Sequence, residues 1–395
     1  VTKNSSNVNI NTICNISSGD KLEDAQFIFS SSAKIKNIII LNGKSWTKVP
    51  YRVNGKDSLL LKTKGVFKKD KSYPVKFVYT FPAGKLNDTL LMLDRGHRWY
   101  PLIMDQIVPF KIVCEVPAGY NVLSAGNLVS RQEGKKNKFV WESRMPVFKL
   151  PLIIYNEKKF KNESNKWADI CFYSASQEKA KMVLDKISRI MDYNNTKLGE
   201  YPFNKLTIIE VKEFPGVNVC SGLLMIGTQS LDAVCNGNDD IIALPVAQQW
   251  FATGVFAKYG GKGFFFLTIS LPHYLRLMYI RQNQGEDAYN KALMEPVSAY
   301  MEFAGKEKDI PLIDIDAPNS REKGIILYGK GPYILSKIEN EMERKQFEAF
   351  LRLLYTEFRG RILTFSQFEE YLAKDDEQGE IINLFRKLIS CKGIN

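Results

Sequence analysis

Histidine is nearly absent: the 395-residue chain holds two, His97 and His273. No His-x-x-x-His pair can be written anywhere in it. A zinc site built on paired imidazoles is therefore excluded, since zinc is rarely held by one histidine without thiolates or carboxylates. Cysteine is sparse as well. The six residues Cys14, Cys114, Cys171, Cys220, Cys235 and Cys391 show no Cys-x-x-Cys spacing, which argues against a cysteine zinc site and a disulfide scaffold. One bridge, Cys220 to Cys235 across a loop, is compatible with an exported chain, but buried free thiols are the expected state. No apolar run reaches the roughly 20 residues that a membrane helix needs. The nearest, Gly263 to Ile280, is interrupted by Pro272, His273 and Arg276 and reads as a buried core helix preceded by a strand or loop. Internal repeats and low-complexity linkers are also missing.

What the chain does have is positive charge: 55 Lys and Arg against 43 Asp and Glu, a formal net charge of +12. The lysines are scattered over loops, as in Lys68 to Lys71, Glu133 to Lys138 and Glu157 to Lys166. Such a surface is chiefly solvated, and its field favours anionic membrane surfaces or acidic partners. No basic stripe with interleaved aromatics stands out, so a nucleic acid is not an expected partner. The chain starts at Val1 without a methionine. Together with the basic surface this reads as an exported protein, periplasmic, secreted or surface-tethered.

Periodicity divides the chain in two. Up to about residue 157 it consists of short β-branched and aromatic runs, such as Tyr73 to Pro82 and Phe110 to Gly119, separated by Gly, Asn, Asp and Pro turns. That pattern predicts an all-β, sandwich-like domain. From 158 to 395 the pattern is α+β with a helical C-terminal half. Ser176 to Gly199 carries a helical stripe of Met182, Val183, Ile187, Ile190 and Met191 closed by a glycine. Leu206 to Val211 reads as a strand, and Phe214 to Gly227 as an edge-strand pair with glycine turns. Helices are predicted around 246–257, 274–284, 288–303, 331–343, 347–355, 364–374 and 379–390.

Several stretches, in this order, resemble one family. They are "DRGHRWYPL" from Asp94, "FKIVCEVPAGYNVLSAGNLV" from Phe110, "LGEYPFNKLTIIEV" from Leu198, "ALPVAQQWFATGVFAKY" from Ala243 and "LYGKGPYILSKIE" from Leu327. Each is only moderately specific, but their order and spacing are similar to the gluzincin zinc aminopeptidases, peptidase family M1. The resemblance covers most of the chain and implies a thermolysin-like peptidase domain behind the β domain. In that family two histidines one helical turn apart and a glutamate on the next helix bind zinc, while the glutamate inside the motif deprotonates the metal-bound water.

Carried onto this chain, the first histidine falls on Leu244, the water-activating glutamate on Pro245, the second histidine on Gln248 and the third ligand on Ile269. Ala247, Gln249, Trp250 and Phe251 around them keep the family's residue types. The peptide-binding edge falls on Gly216, Val217, Asn218, Val219 and Cys220, with Val219 where the amine-holding glutamate would stand. Tyr328 matches the oxyanion-stabilising tyrosine. No Asp or Glu lies between Ile241 and Gly285. Pro245 and Pro272 suit only the first turn of a helix, Ser270 being a plausible cap for the second, so both helices are expected to start late.

The resemblance therefore implies a degenerate member with no metal, no cofactor and no catalytic residue beyond the remnants Pro245 and Tyr328. Its role would be binding or scaffolding through a peptide or protein partner, with no oligomeric state implied. Two other readings stay open. One is a hydrolase with replaced chemistry, in which Cys220 is the nucleophile and His273 its base. The other is an aminopeptidase with unusual metal ligands or a ligand from a partner chain.

Overall fold

Strict alternation explains the first half of the chain. In Ser72–Pro82 every second residue, Tyr73, Val75, Phe77, Tyr79 and Phe81, is buried and the intervening ones are not, as a strand with one covered face requires. The computed structural model describes residues 7–17, 24–55, 57–63, 67–84, 89–103, 106–212 and 214–394. The chain falls into two units, Val1–Gln106 with Phe110–Glu142 and Lys149–Phe160, and Ile107–Pro109 with Ser143–Phe148 and Lys161–Asn395.

The strands of the first half are β1 Asn7–Ser17, β2 Asp24–Ile28, β3 Lys34–Asn42, β4 Ser45–Lys48, β5 Tyr51–Val53, β6 Ser58–Lys62, β7 Ser72–Pro82, β8 Leu90–Leu93, β9 Val108–Pro117, β10 Tyr120–Ser124, β11 Asn127–Gln132, β12 Lys136–Val147 and β13 Leu152–Asn156. They form four sheets, ordered β1-β7-β3-β4, β2-β6-β5, β10-β13-β8 and β11-β12-β9. The first two meet through aromatic rings. Phe27 stands edge-on to Phe77 at 5.4 Å and Phe29 edge-on to Tyr79 at 4.8 Å. The other two are joined by the Trp141 indole, which donates to the Val122 carbonyl at 3.1 Å.

The second unit is built on one mixed sheet, β14 Lys161–Ser164, β15 Ala168–Phe172, β16 Leu206–Val211, β17 Val217–Cys220 and β18 Leu223–Gly227, in the order β14-β15-β16-β18-β17. Strands β15, β16 and β18 are parallel, while β17 runs antiparallel at the end of the sheet. Between β15 and β16 lies α1, Gln177–Leu198, capped by the Ser176 hydroxyl, which accepts from the Lys179 amide at 3.2 Å. Its buried stripe includes Val183, Leu184, Ile187, Ile190 and Met191. Met182, expected in that stripe, is 40% exposed, because it sits one residue outside the 3.6-residue period.

The remaining helices are α2 Thr228–Cys235, α3 Asp240–Ala247, α4 Leu271–Gln284, α5 Glu286–Met301, α6 Arg321–Ile325, α7 Gly331–Met342, α8 Arg344–Phe358, α9 Phe365–Leu372 and α10 Glu380–Ser390. The short strands β19 Phe256–Ala257 and β20 Ile362–Leu363 pair in parallel. Phe266 anchors the core of this half against Phe365, Phe368 and Phe385.

Three sequence expectations are corrected here. The helix expected over 246–257 is instead α3, which begins earlier and ends at Ala247. Beyond it the chain tightens, with Gln249 N donating to Val246 O and Trp250 N to Ala247 O, and then reverses, with Val255 N donating to Trp250 O. Gly254 permits the reversal, since a Cβ there would stand 2.6 Å from the Gln249 carbonyl oxygen. Pro245 lies inside α3 rather than in its first turn. The second helix does not start at Pro272 either. Helical backbone is continuous from Phe264, with a π-helical turn at Phe266–Ser270 running into α4, so no strand or loop precedes the apolar run. Ser270 does not cap; its hydroxyl donates to the Leu327 carbonyl at 2.8 Å.

Two charged clusters are buried in this unit. Arg281 on α4 holds Glu339 on α7 with both guanidinium nitrogens, one at 3.0 Å. The Tyr274 hydroxyl donates to the same carboxylate and lies 3.1 Å from the Tyr289 hydroxyl. In the second cluster Lys330, fully buried, donates to the Cys391 carbonyl. Nearby, Asp309 accepts from the Tyr300 hydroxyl at 2.8 Å and from the Gly393 amide at 2.7 Å.

Candidate functional site

The remnant positions lie on α3, on the π-turn before α4 and on a second π-helical turn, Ile326–Lys330, before α7. Such turns insert an extra residue into a helix and recur at functional sites. Here they pack against each other through Ser270 and Leu327. Two glycines in "YGKG" let them approach. A Cβ on Gly331 would stand 2.1 Å from the Ser270 hydroxyl oxygen, and one on Gly329 2.6 Å from the Pro296 carbonyl oxygen. The motif thus divides its work: Gly329 and Gly331 permit packing, Lys330 is buried, and Tyr328 is left 38% exposed.

Gln248, which the resemblance sets at the second-histidine position, has a specific partner. Pro272 has no N–H, so the carbonyl four residues back, that of Thr268, lacks its α-helical donor. The Gln248 side-chain amide donates to that carbonyl at 3.1 Å. The side-chain amide of the residue that caps the end of α3 is thereby fastened to the backbone of the neighbouring helix, one residue from Ile269. Gln248 and Pro272 fit each other, since the first supplies a donor that the second cannot.

A cavity of about 530 Å³ opens beside these elements. Leu244, His273 and Tyr328 line it, together with Asp240, Arg276, Ile280, Lys291 and Glu295. Pro245, Gln248, Ile269 and the edge 216–220 do not line it. His273 is 6% exposed and stands edge-on to the Tyr328 ring at 5.3 Å. Its Nε2 lies 3.1 Å from an Arg276 nitrogen. Arginine can only donate, so Nε2 accepts and the ring proton sits on Nδ1. That Nδ1 is buried and has no hydrogen-bond partner among the described residues. Arg276 also forks onto Asp240, with Nε donating at 3.1 Å. α3 therefore does carry a carboxylate, from one residue outside the acid-free window, but it is engaged by Arg276.

Burial, and secondarily the Arg276 charge, push His273 down to about 3, against about 6.5 for an unfolded histidine. The unfolded chain thus takes up a proton as pH falls through 6.5, while the folded chain does not until about 3. Stability is expected to drop across that window by up to about 1.4 kcal/mol per pH unit. Denaturant unfolding at pH 7, 6 and 5 checks this. The His273→Gln variant should show a flatter decline, and an equally steep one would rule the assignment out.

Gln249 and Trp250, which the resemblance sets beside the ligand positions, have structural duties. Gln249, fully buried, accepts from the Gly222 amide at 2.9 Å and donates to the Cys220 carbonyl at 3.1 Å, holding the β17–β18 turn. The Trp250 indole donates to the Gly199 carbonyl at 2.9 Å, tying the end of α1. Gly216, with φ of +81°, and strand β17 make up the outer edge of the sheet, with Val219 opposite Leu224. Cys220 and Cys235, like the other four cysteines, are free thiols; the bridge across the loop is not formed. Sequence reasoning missed Asp240, Arg276, Lys291 and Glu295. A buried arginine on an apolar helix was the available signal for the first two.

The β domain followed by this mixed sheet and helical half is the fold of the M1 zinc metallopeptidases. The chain matches the M1 zinc metallopeptidase of Deinococcus radiodurans with a TM-score of 0.74 at 13% identity, covering 100% of this chain and 92% of that one. It matches native yeast LTA4 hydrolase with a TM-score of 0.80 at 14% identity, covering 100% of this chain and 67% of that one. No family model matches the sequence, and no curated protein matches it. The metal that this fold implies does not suit the residues present. Leu244 and Ile269 have no donor atom, and the Gln248 amide is committed to Thr268. Among the described residues no three His, Cys, Asp or Glu side chains stand close enough to share an ion.

Proposed function

We propose that this chain is a pseudopeptidase, an M1-like scaffold that has exchanged metal chemistry for binding. One observation carries the reading: the Gln248 amide, at the second-ligand position, is bonded to the Thr268 carbonyl, to which Pro272 cannot donate. Loss of ligands alone would leave a loose apolar gap, whereas here the two helices have been joined by other means. The cavity beside Tyr328 is the surface offered to a peptide or protein partner. Without a glutamate at Val219, a peptide's free amino terminus loses a charge-assisted bond worth about 1.5–3 kcal/mol, so recognition would not depend on that terminus. The Cys220–His273 hydrolase is less well supported. His273 lines the cavity and Cys220 does not, and a histidine held neutral down to about 3 is a poor base.

Two measurements on the purified full chain test this together. Elemental analysis should find far less than one zinc per chain, and amino-acid arylamides should not be hydrolysed above background. About one zinc per chain, lost in Gln248→Ala, or hydrolysis abolished by Tyr328→Phe, would overturn the reading.

A further inference from the structure

Residues 42–53 stand apart from the rest of the β domain. All are exposed except Val49, although Ser45–Lys48 and Tyr51–Val53 are ordered strands. β4 and β5 are the outer strands of two different sheets. Val49 fixes the corner between them, its amide donating to the Ile38 carbonyl at 3.0 Å, while the Pro50 carbonyl accepts from Lys62 N at 2.9 Å. From Asn42 to Gly55 the charged residues are Lys44, Lys48 and Arg52, with no acid among them. Trp46 is 42% exposed, Tyr51 41% and Val53 49%.

Exposed lysines and a proline on edge strands protect against sheet-to-sheet aggregation. That duty accounts for Lys44, Lys48, Pro50 and Arg52. It does not account for a tryptophan, a tyrosine and a valine left in water within eight residues, since large apolar side chains there raise the hazard. Aromatic rings beside cationic side chains on an ordered element match the interface of a bilayer. Trp and Tyr lie at headgroup depth there, and Lys and Arg meet anionic lipid. A nucleic acid fits less well. Its affinity rests on many phosphate contacts, and three cations supply few; Val53 offers nothing to stack on a base.

We propose that the β4–β5 ribbon, through Trp46, Tyr51 and Val53 with Lys44, Lys48 and Arg52, docks the protein on an anionic bilayer surface. The inference is independent of the pseudopeptidase reading, and the whole-chain charge did not single this segment out.

The test uses the full chain and vesicles of phosphatidylcholine with or without phosphatidylserine, in a sedimentation assay. Binding is expected only with phosphatidylserine and should weaken as salt is raised. Each basic residue near such a surface contributes about fivefold, so the combined Lys44→Gln, Lys48→Gln, Arg52→Gln variant should bind about 100-fold more weakly. A second readout needs no folded triple variant: brominated acyl chains should quench part of the wild-type tryptophan fluorescence, and Trp46→Phe should remove that part. Equal binding to both vesicles, no binding, an unaffected triple variant or quenching that survives Trp46→Phe would each overturn the proposal. So would binding to an oligonucleotide while vesicles are ignored.

Discussion

Replacing Glu339 by alanine is expected to lower the stability of the second unit by about 3–5 kcal/mol, because it strands a buried guanidinium. Arg281 points both of its terminal nitrogens at that carboxylate, and the Tyr274 hydroxyl shares it. Both charged side chains are at most 9% exposed, so water cannot replace the lost partner. For a unit of this size the unfolding midpoint should fall by about 10 °C. The double variant Arg281→Met, Glu339→Leu should recover most of the loss, since a buried pair exchanged for apolar groups of similar volume is often near neutral. Thermal and denaturant unfolding of the three proteins checks this. A Glu339→Ala protein within about 1 kcal/mol of the parent would show that the pair is wet or mobile.

The second large effect concerns rebuilding the metal motif. The combined variant Leu244→His, Pro245→Glu, Gln248→His, Ile269→Glu restores the nominal ligands. It is expected to be destabilised by about 2 kcal/mol or more and to gain no efficient zinc-dependent peptidase activity. Removing the Gln248 amide leaves the Thr268 carbonyl short of a donor, because Pro272 remains. α3 still ends at Ala247 and the chain still reverses at Gly254. Ile269 lies in a π-turn, whose extra residue sets where its side chain points. The groups that orient zinc-bound histidines are not rebuilt, and their loss alone costs about 10–100-fold in affinity or activity. Thermal shift with and without zinc, beside an arylamide assay, is the measurement. A variant that zinc raises to parental stability and that hydrolyses arylamides would show an intact scaffold stripped only of ligands.

The fold was legible because its signals are local and repeated. The alternation in Ser72–Pro82, the apolar stripe of α1 and the Gly222 turn between β17 and β18 each follow from a few neighbouring residues. That no His-x-x-x-His pair can be written was legible too, since the chain holds two histidines. What could not be read were consequences that depend on distant partners. Proline rules placed Pro245 and Pro272 in first turns, because the rules assume an unbroken i to i−4 ladder. A π-turn removes that assumption in one case, and a short helix tolerates the proline in the other. The bond from the Gln248 amide to the Thr268 carbonyl is of this kind, since Gln248 caps α3 and Thr268 lies in the π-turn before α4. Likewise Gln249 and Trp250 resembled a catalytic helix by composition, but they are retained here as ties to the Cys220–Gly222 turn and to Gly199.

The buried Lys330 bears on how the chain is made. Its ammonium is sheltered by the Cys391 carbonyl, and Asp309 beside it is bonded to the Gly393 amide. Until residues 391–393 are made, Lys330 lacks the Cys391 carbonyl and Asp309 has only part of its set of donors, and burying an under-compensated charge is strongly unfavourable. The π-turn that carries Tyr328 also carries Lys330, so this stretch cannot settle until residues 391–393 are in place. The β domain, whose strands all precede residue 157, is free of that constraint. The four sheets of the first half can therefore form before residues 391–393 are made, whereas the turn that bears Tyr328 cannot reach its final packing until they are.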